Sequence, residues 1–397
     1  MSGLISVDEA WARLAANTPK PETEIIPIAD ALGRRLAEDV YATVSKPSAA
    51  VSAMDGYALR LDDVCEPHAR LRVIGTSPAG HPFDGEIRYG EAVRIFTGGE
   101  VPAGADHVVI QEDVTREGDE ILCTLTYSAP RHIRPAGQDF NAGDLLVPSD
   151  TRLKPGDLSL IAAANVAEVT VFKQLRVGIL SNGDELKPPG SDLKPGEIVN
   201  SNPAALAALV TQWGGVPVQL GIARDSVEDI QARIQGAENI DIFVPVGGAS
   251  VGDHDHMRPA FKALGFEPVF EKVAVKPGKP TWLFRSEDAV ALGLPGNPAS
   301  AYVCAQLFLR PLVESTGVPT LIHAKTTTAL SDVSSRDEFL RANLEFTENA
   351  ELNISPVSDQ DSSLIHPLSR CNALIRRPAH SGSLENGEIV PVLLLTR

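Results

Sequence analysis

Residues 242–255, IFVPVGGASVGDHD, decide the fold: a short apolar run passes directly into a glycine pair and then into a polar, acidic loop. Ile242 to Val246 show no polar alternation, as expected of a strand buried on both faces. The arrangement recurs on either side. Apolar segments RVGIL (176–180), VPVQLGIA (216–223) and AVALGL (289–294) alternate with the helical patterns PAALAALVTQWG (203–214), VEDIQARIQGA (227–237), HMRPAFKALG (256–265) and PASAYVCAQLFLRPLVE (298–314). Strand and helix alternating in this way predict an α/β domain with a doubly wound, mostly parallel sheet and helices on both faces.

Away from that core the periodicity changes. Between about Tyr41 and Val147 it breaks into short alternating runs such as LRVIG, AVRIFTG, HVVIQEDV and ILCTLTY, interrupted by Gly and Pro, which predicts a β-rich module. Ser6 and Glu9 form a capping-box pair ahead of a helix running to Ala16, with Leu4, Trp11 and Leu14 available to one face. Past Pro319 the segments FLRANLEF, CNALIRRP and IVPVLLL predict a small β-barrel or sandwich. The expected division is a helical linking domain (1–43 and 143–172), a β-rich inserted module (44–142), the central α/β domain (173–316) and a C-terminal β-barrel (317–397).

At 397 residues and 43% hydrophobic content the chain exceeds what one core organises. Its beginning, MSGLISVDEAWARL, has no basic segment followed by an apolar one, and no apolar run approaches membrane-spanning length, so a soluble cytoplasmic protein is expected. Cys65, Cys123, Cys304 and Cys371 are scattered without a CxxC pair and read as free thiols. A net charge of -17 repels nucleic-acid backbones and anionic membranes. An anionic ligand must therefore be held locally, by Lys or Arg, by backbone N–H groups at helix starts, or by a bridging divalent metal.

In an open α/β sheet the ligand lies beyond the carboxyl ends of the strands. The loops there read SNGDEL (181–186), ARDS (223–226), GGASVGDHD (247–255), KPGKP (276–280) and GLPGNPAS (293–300). Gly247, Gly248 and Gly252 leave backbone N–H groups open to phosphate oxygens, although a Gly-Gly turn also serves plain tight packing. Asn202-Pro203 and Asn297-Pro298 read as helix caps that start two helices sharply at the strand ends. Lys276 and Lys279 sit in a stiff turn and suit a compact oxyanion; a solvated charge pair is the alternative. Glu185, Asp225, Asp253 and Asp255 beside a phosphate site would supply the oxygens that Mg²⁺ prefers, though Asp225 also reads as a cap for the helix that follows it. His254 and His256 have too few accompanying ligands for a transition-metal site.

These central loops resemble, in order and spacing, the motifs GDEL, GGxSxGxxD, KPGKP and LPGNPxSA of the molybdopterin molybdenumtransferase family, the MoeA and gephyrin E-domain enzymes. SAMDGYA (52–58), IFTGGEVPAGADHVVIQED (95–113), IRPAGQDF (133–140), DEFLRANL (337–344) and CNALIRRP (371–378) are similar to its flanking signatures. The resemblance implies transfer of molybdate to the dithiolene of adenylylated molybdopterin, with release of AMP and formation of molybdenum cofactor. It further implies that Asp225 and Asp255 bind Mg²⁺, and that Glu185 and the loop Gly247 to Gly252, including Ser250, hold the nucleotide or pterin side. Lys276, Lys279, Pro280, Ser300, Arg341 and Ser362 would form the molybdate pocket, with Pro295 and Pro298 in the LPGNP turn beside it. Asp55, Thr97 and Asp139 would close the cleft from the β-rich module of a partner subunit, which implies a homodimer. Other molybdenum-cofactor biosynthesis proteins are further expected partners.

The chain departs from the family pattern at Asn182, Asn200, Val246 and His366-Pro367, which bears on pterin contacts near Asn200 and Val246. Other readings compete. Gly248 to Gly252 literally matches the GxSxG elbow of a serine hydrolase with Ser250 as nucleophile and His323, His366 or His380 as base, but GDHD intervenes before any helix. A non-catalytic gephyrin-like scaffold, and the preceding adenylylation step, are the remaining alternatives.

Overall fold

The computed structural model describes residues 3–247 and 256–395, so Gly248, Ser250, Gly252, Asp253 and Asp255 of the glycine loop lie outside the described residues. The chain divides into two units, Met1–Glu22 with Lys173–Arg397, and Thr23–Phe172.

In the first unit the central sheet runs Val216–Ala223, Arg176–Asn182, Ile242–Val246, Val290–Gly293, Trp282–Arg285, Glu267–Phe270. The first four are parallel, and the last two turn antiparallel. Alternate residues feed two cores. Ile242, Val244, Leu292 and Leu294 face a cluster with Leu206, Leu209 and Phe308, whereas Phe243, Ala291 and Trp282 face Ile230, Met257 and Phe261 on the other side. A sheet covered on both faces explains why its strands are apolar throughout. The edge hairpin has no counterpart in the sequence reading, since FEPVF and TWLFR are short segments without a helix between them.

The Ser6 hydroxyl accepts from the Glu9 N–H at 3.1 Å, capping the helix Val7–Ala16. Leu4 stays exposed ahead of that cap, and the buried face is Val7, Ala10, Trp11 and Leu14 instead. The helical stretch expected over 298–314 is a composite of an α-helix (Pro298–Cys304), a π turn (Ala305–Leu309) and a final α turn (Arg310–Val313). Pro311 has no N–H to offer the carbonyl four residues back, and that Leu307 carbonyl accepts the Trp11 indole N–H at 2.9 Å.

The tail forms a closed ring of five strands: Asp337–Phe346, Leu352–Pro356, Ile322–Thr326, Ile389–Leu394 and Ala373–Arg377, the last pairing back to the first. Val275–Lys276 joins it alongside Asp337 and Glu338, so the turn bearing the lysines hangs from a barrel strand. The second unit holds a six-stranded sheet and, around Leu36, Val40, Val147, Ile161 and Val171, a smaller core that packs the helix Pro155–Ala163. Among the described residues no helix is long and apolar enough to cross a membrane.

Candidate functional site

Within the first unit, the carboxyl ends of the parallel strands meet as predicted, but polar side chains link them in ways the local sequence does not announce. Buried Asn182 donates to the Arg224 carbonyl at 3.0 Å and to Asp225 Oδ1 at 2.8 Å. Asn182, one of the departures from the family pattern, therefore steers the Asp225 carboxylate. Asp225 is not a helix cap: the next helix is capped by Ser226, whose hydroxyl accepts from the Asp229 N–H at 3.2 Å. Exposed Asp184 and Asp225 face each other, with backbone N–H to carboxylate distances of 3.4 Å in both directions.

Neither Asn-Pro pair caps through its side chain. Asn202 is the first residue of its own helix and donates to the Gly296 carbonyl at 2.8 Å, and Asn297 donates to Ser362 Oγ at 3.0 Å. Both asparagines brace one loop against another. The Ala299 N–H donates to the Ser362 carbonyl at 3.1 Å, tying the LPGNP turn to the barrel loop a second time. Asn200 and Ser181 share hydrogen bonds of 3.0 and 3.1 Å. Gly247 has φ +92, and a Cβ there would stand 2.9 Å from the Asn182 carbonyl oxygen, which accounts for glycine.

Two pockets result. A cleft of about 630 Å³ is lined by Asn182, Glu185, Asn200, Gly247, Pro295 and Pro298, among others, with buried Val246 in its wall. A pocket of about 550 Å³ carries Lys276, Lys279, Ser300, Arg341 and Ser362, and Pro280 lines both. The Glu185 cleft and the lysine pocket therefore adjoin at Pro280 of the KPGKP turn.

That turn has a defined floor. Gly278 adopts φ +113, and a Cβ on it would fall 2.0 Å from Cys304 Sγ. The Thr281 hydroxyl donates to the Gly278 carbonyl at 2.8 Å and lies 3.3 Å from Cys304 Sγ. Burial pushes the Cys304 thiol up to about 12, so the floor is neutral at physiological pH. Lys276 Nζ lies 2.8 Å from Glu338 Oε1, its direct cross-strand neighbour. Exposed Lys279 makes no ion pair among the described residues.

Arg341 is buried and largely committed. Its Nε approaches Gln360 Oε1 at 3.4 Å, Nη1 donates to the Leu364 carbonyl at 3.0 Å, and Nη2 donates to the carbonyls of Asp359 and Asp361 at 3.0 and 2.9 Å. It builds the loop on which Ser362 stands. Next to Ser362, Asp361 is held below the usual carboxylate range by the hydroxyl and then the backbone N–H of Ser363. Four groups escaped the sequence reading: Glu338 and Arg336 in the pocket wall, and Cys304 and Thr281 beneath the turn. The alternation around DEFLRANL carries no signal for the first two, and a buried Cys and Thr look like ordinary core.

In the second unit, Asp55 Oδ1 accepts from both the Thr97 N–H and hydroxyl at 2.8 Å. These bonds, backbone first, lower its pKa. Asp139 is exposed, and its N–H donates to the Lys46 carbonyl at 2.9 Å. Among the described residues no group of three or more His, Cys, Asp or Glu could by itself hold a metal ion.

The fold and its strand-end clefts define the class first: a multidomain α/β protein whose residues 178–315 match the family model "Probable molybdopterin binding domain". Residues 5–165 match the MoeA N-terminal region (domain I and II), and residues 323–395 the MoeA C-terminal region (domain IV). The chain belongs to the MoeA family. The molybdopterin molybdenumtransferase of Haemophilus influenzae is 33% identical over 98% of each chain, and that of Bacillus subtilis 33% identical over 98% of this chain and 94% of its own. The crystal structure of the molybdopterin biosynthesis moea protein from Pyrococcus horikosii superposes with a TM-score of 0.85 at 30% identity, covering 100% of both chains.

Proposed function

We propose that this chain inserts molybdate into adenylylated molybdopterin, releasing AMP and forming molybdenum cofactor. It is a transferase of molybdenum cofactor biosynthesis. The observation that carries the mechanism is the pair of adjoining pockets sharing Pro280, one bearing the lysines and the other Glu185, the strand-end asparagines and the LPGNP turn. Lys279, with Lys276, Ser300 and Ser362, holds the tetrahedral dianion by fixed charge and hydroxyl donors. The longer cleft takes the nucleotide and pterin between Glu185, the glycine loop from Gly247 to Gly252 including Ser250, and Pro295 and Pro298. Two Mo–S bonds form, and one oxo ligand leaves as water with the two thiol protons, without change of oxidation state; a separate water cleaves the phosphoanhydride, leaving the pterin phosphate and AMP.

Asp225 and Asp255 would hold Mg²⁺. The oxygen donors on the Asp184 and Asp225 loops fit an ion that takes only one or two protein carboxylates and completes its shell with phosphates and water. When bound, the ion neutralises charge on the phosphates. The chain's own part is orientation: Asn182 donates to Asp225 and fixes its carboxylate.

We further propose a homodimer in which Asp55, Thr97 and Asp139 of one subunit complete the other's cleft. The division into residues 1–43 with 143–172, 44–142, 173–316 and 317–397 follows the same reading. In a mixture of the purified chain, adenylylated molybdopterin, Mg²⁺ and molybdate, AMP is expected to appear with the cofactor. Lys279→Ala should raise the molybdate KM by about tenfold, the loss of one charged donor. Asp225→Asn should slow AMP release at unchanged molybdate KM, and chelating Mg²⁺ should do the same. Failure of the unaltered protein to release AMP, or normal kinetics in both variants, would overturn the proposal.

A further inference from the structure

Two walls of the lysine pocket come from separate parts of the chain: the turn of residues 276–280, and the helix Pro298–Cys304, which carries Ser300. What holds them at one separation lies beneath the pocket. Cys304 follows Ser300 by one helical turn on the same face, and its sulfur runs under the turn. The Cys304 S–H reaches the Pro277 carbonyl at 3.8 Å. The Gly278 carbonyl accepts from the Thr281 hydroxyl at 2.8 Å and from the Thr281 N–H at 3.0 Å. Cys304 and Thr281 are fully buried. Both middle carbonyls of the turn are thereby tied downwards, one to the helix and one to the residue that enters the strand Trp282–Arg285.

The ends of the turn are fixed elsewhere. Val275 and Lys276 pair with Asp337 and Glu338, and the Lys279 carbonyl accepts from the Val273 N–H at 3.1 Å. The height of the middle is left to packing, and there the fit has no slack. A Cβ on Gly278 would fall 2.0 Å from Cys304 Sγ and 3.5 Å from Val275 Cγ1, so the sulfur occupies the space that a side chain would need. An interior packed this closely passes a change of one atom on to its neighbours. Burial keeps the thiol protonated, so the weak S–H donor persists and no negative charge lies below the lysines. Sulfate and molybdate are tetrahedral dianions of equal charge, and the metal–oxygen bonds of molybdate are longer than the sulfur–oxygen bonds of sulfate. A site built from fixed cations and hydroxyls separates the two by its width.

We infer that Cys304 and Thr281 are positioning residues that set the spacing between the lysine turn and Ser300, and with it the preference of the pocket for molybdate over a smaller oxyanion of the same charge. The inference rests on the proposed use of this pocket for molybdate. Equilibrium dialysis of the full chain against molybdate and, separately, against sulfate tests it through the ratio of the two dissociation constants. The unaltered chain should bind molybdate about tenfold more tightly than sulfate or better. Cys304→Ala removes the support under Gly278 and should lower that preference about threefold or more. Thr281→Val keeps the volume, removes the hydroxyl and should act in the same direction, whereas Thr281→Ser should restore the ratio. A variant that only loosens the fold lowers the thermal midpoint and weakens both anions alike, so the ratio separates positioning from stability. Should Cys304→Ala fail to fold, Cys304→Ser takes its place: its shorter C–O bond draws the donor back from the Pro277 carbonyl and should lower the ratio by less. A ratio unchanged in both the Cys304 and the Thr281→Val variants, or sulfate bound by the unaltered chain as tightly as molybdate, overturns the inference and leaves the proposed function standing. No binding of molybdate by the unaltered chain overturns the molybdate reading of the pocket and this inference with it.

Discussion

A carboxylate stands inside a pocket whose other charged neighbours are mostly cationic. Glu338 pairs across the strands with Lys276 at 2.8 Å, its own side chain largely buried and that of Lys276 largely exposed. A pair with one exposed partner is stabilised by no more than about 1 kcal/mol, so an incoming dianion competes with Glu338 for the ammonium at modest cost. Glu338→Gln is accordingly expected to lower the molybdate KM about two- to fivefold, read from initial rates of AMP release. A rise in KM would show instead that Glu338 aims Lys276 at the ligand. The side chain of Asn182 makes a related point, since an amide does what a hydroxyl could not: it reaches two groups of the next loop, Arg224 and Asp225, at once.

At the scale of a strand, His107 shows how one buried ring couples a sheet to pH. It opens the strand His107–Ile110, accepts at Nδ1 from the Arg131 N–H at 3.0 Å, and packs against Tyr127 with ring centroids 4.6 Å apart. Its Nε2 is buried without a partner among the described residues. Burial first, then the charge of His132, pushes its pKa down to about 4. The unfolded chain takes up a proton near pH 6.5 that the folded chain refuses until about pH 4. Stability should be full above about pH 6.5 and fall as the pH drops from there towards 4, by about 3 kcal/mol at most. Thermal unfolding at pH 7.5 and pH 5 is the check. His107→Asn should cost stability at pH 7.5 yet lose most of this pH dependence, and equal slopes in the two proteins would remove His107 as the cause.

For the first unit as a whole, Arg376 links parts of the chain that lie far apart in sequence. It bonds Asp8 at 2.8 Å and Asp337 at 2.8 Å, and its guanidinium lies 4.9 Å from the Trp11 ring centroid. The first helix, the barrel and the strand that carries the lysine turn meet through this one side chain. Asp8 is exposed and adds little, whereas Asp337 is buried and would be left uncompensated without Arg376. Arg376→Ala is expected to lose about 3–5 kcal/mol. Joint replacement of Arg376 and Asp337 by Met and Asn should recover much of it in denaturant unfolding. A loss below about 1 kcal/mol for the single variant would mean that Asp337 finds solvent or another partner.

The sequence by itself determined the strand and helix alternation of residues 176–314, the strand-end position of the polar loops, and the β-rich character of the flanking parts. Those features depend on periodicity and turn chemistry, which operate within a few residues. The antiparallel edge at Glu267–Phe270 and Trp282–Arg285 and the π turn ahead of Pro311 were not legible there; a C-terminal barrel was expected, but not the order of its five strands. Nor were the hydrogen bonds by which Asn202 and Asn297 brace neighbouring loops, or the commitment of the Arg341 guanidinium to loop carbonyls. Each of these turns on which partner lies within about 3 Å. Asn202 reaches Gly296 and Asn297 reaches Ser362 across long stretches of chain, and only the tertiary structure, by bringing distant loops to one end of the sheet, decides which polar group finds which.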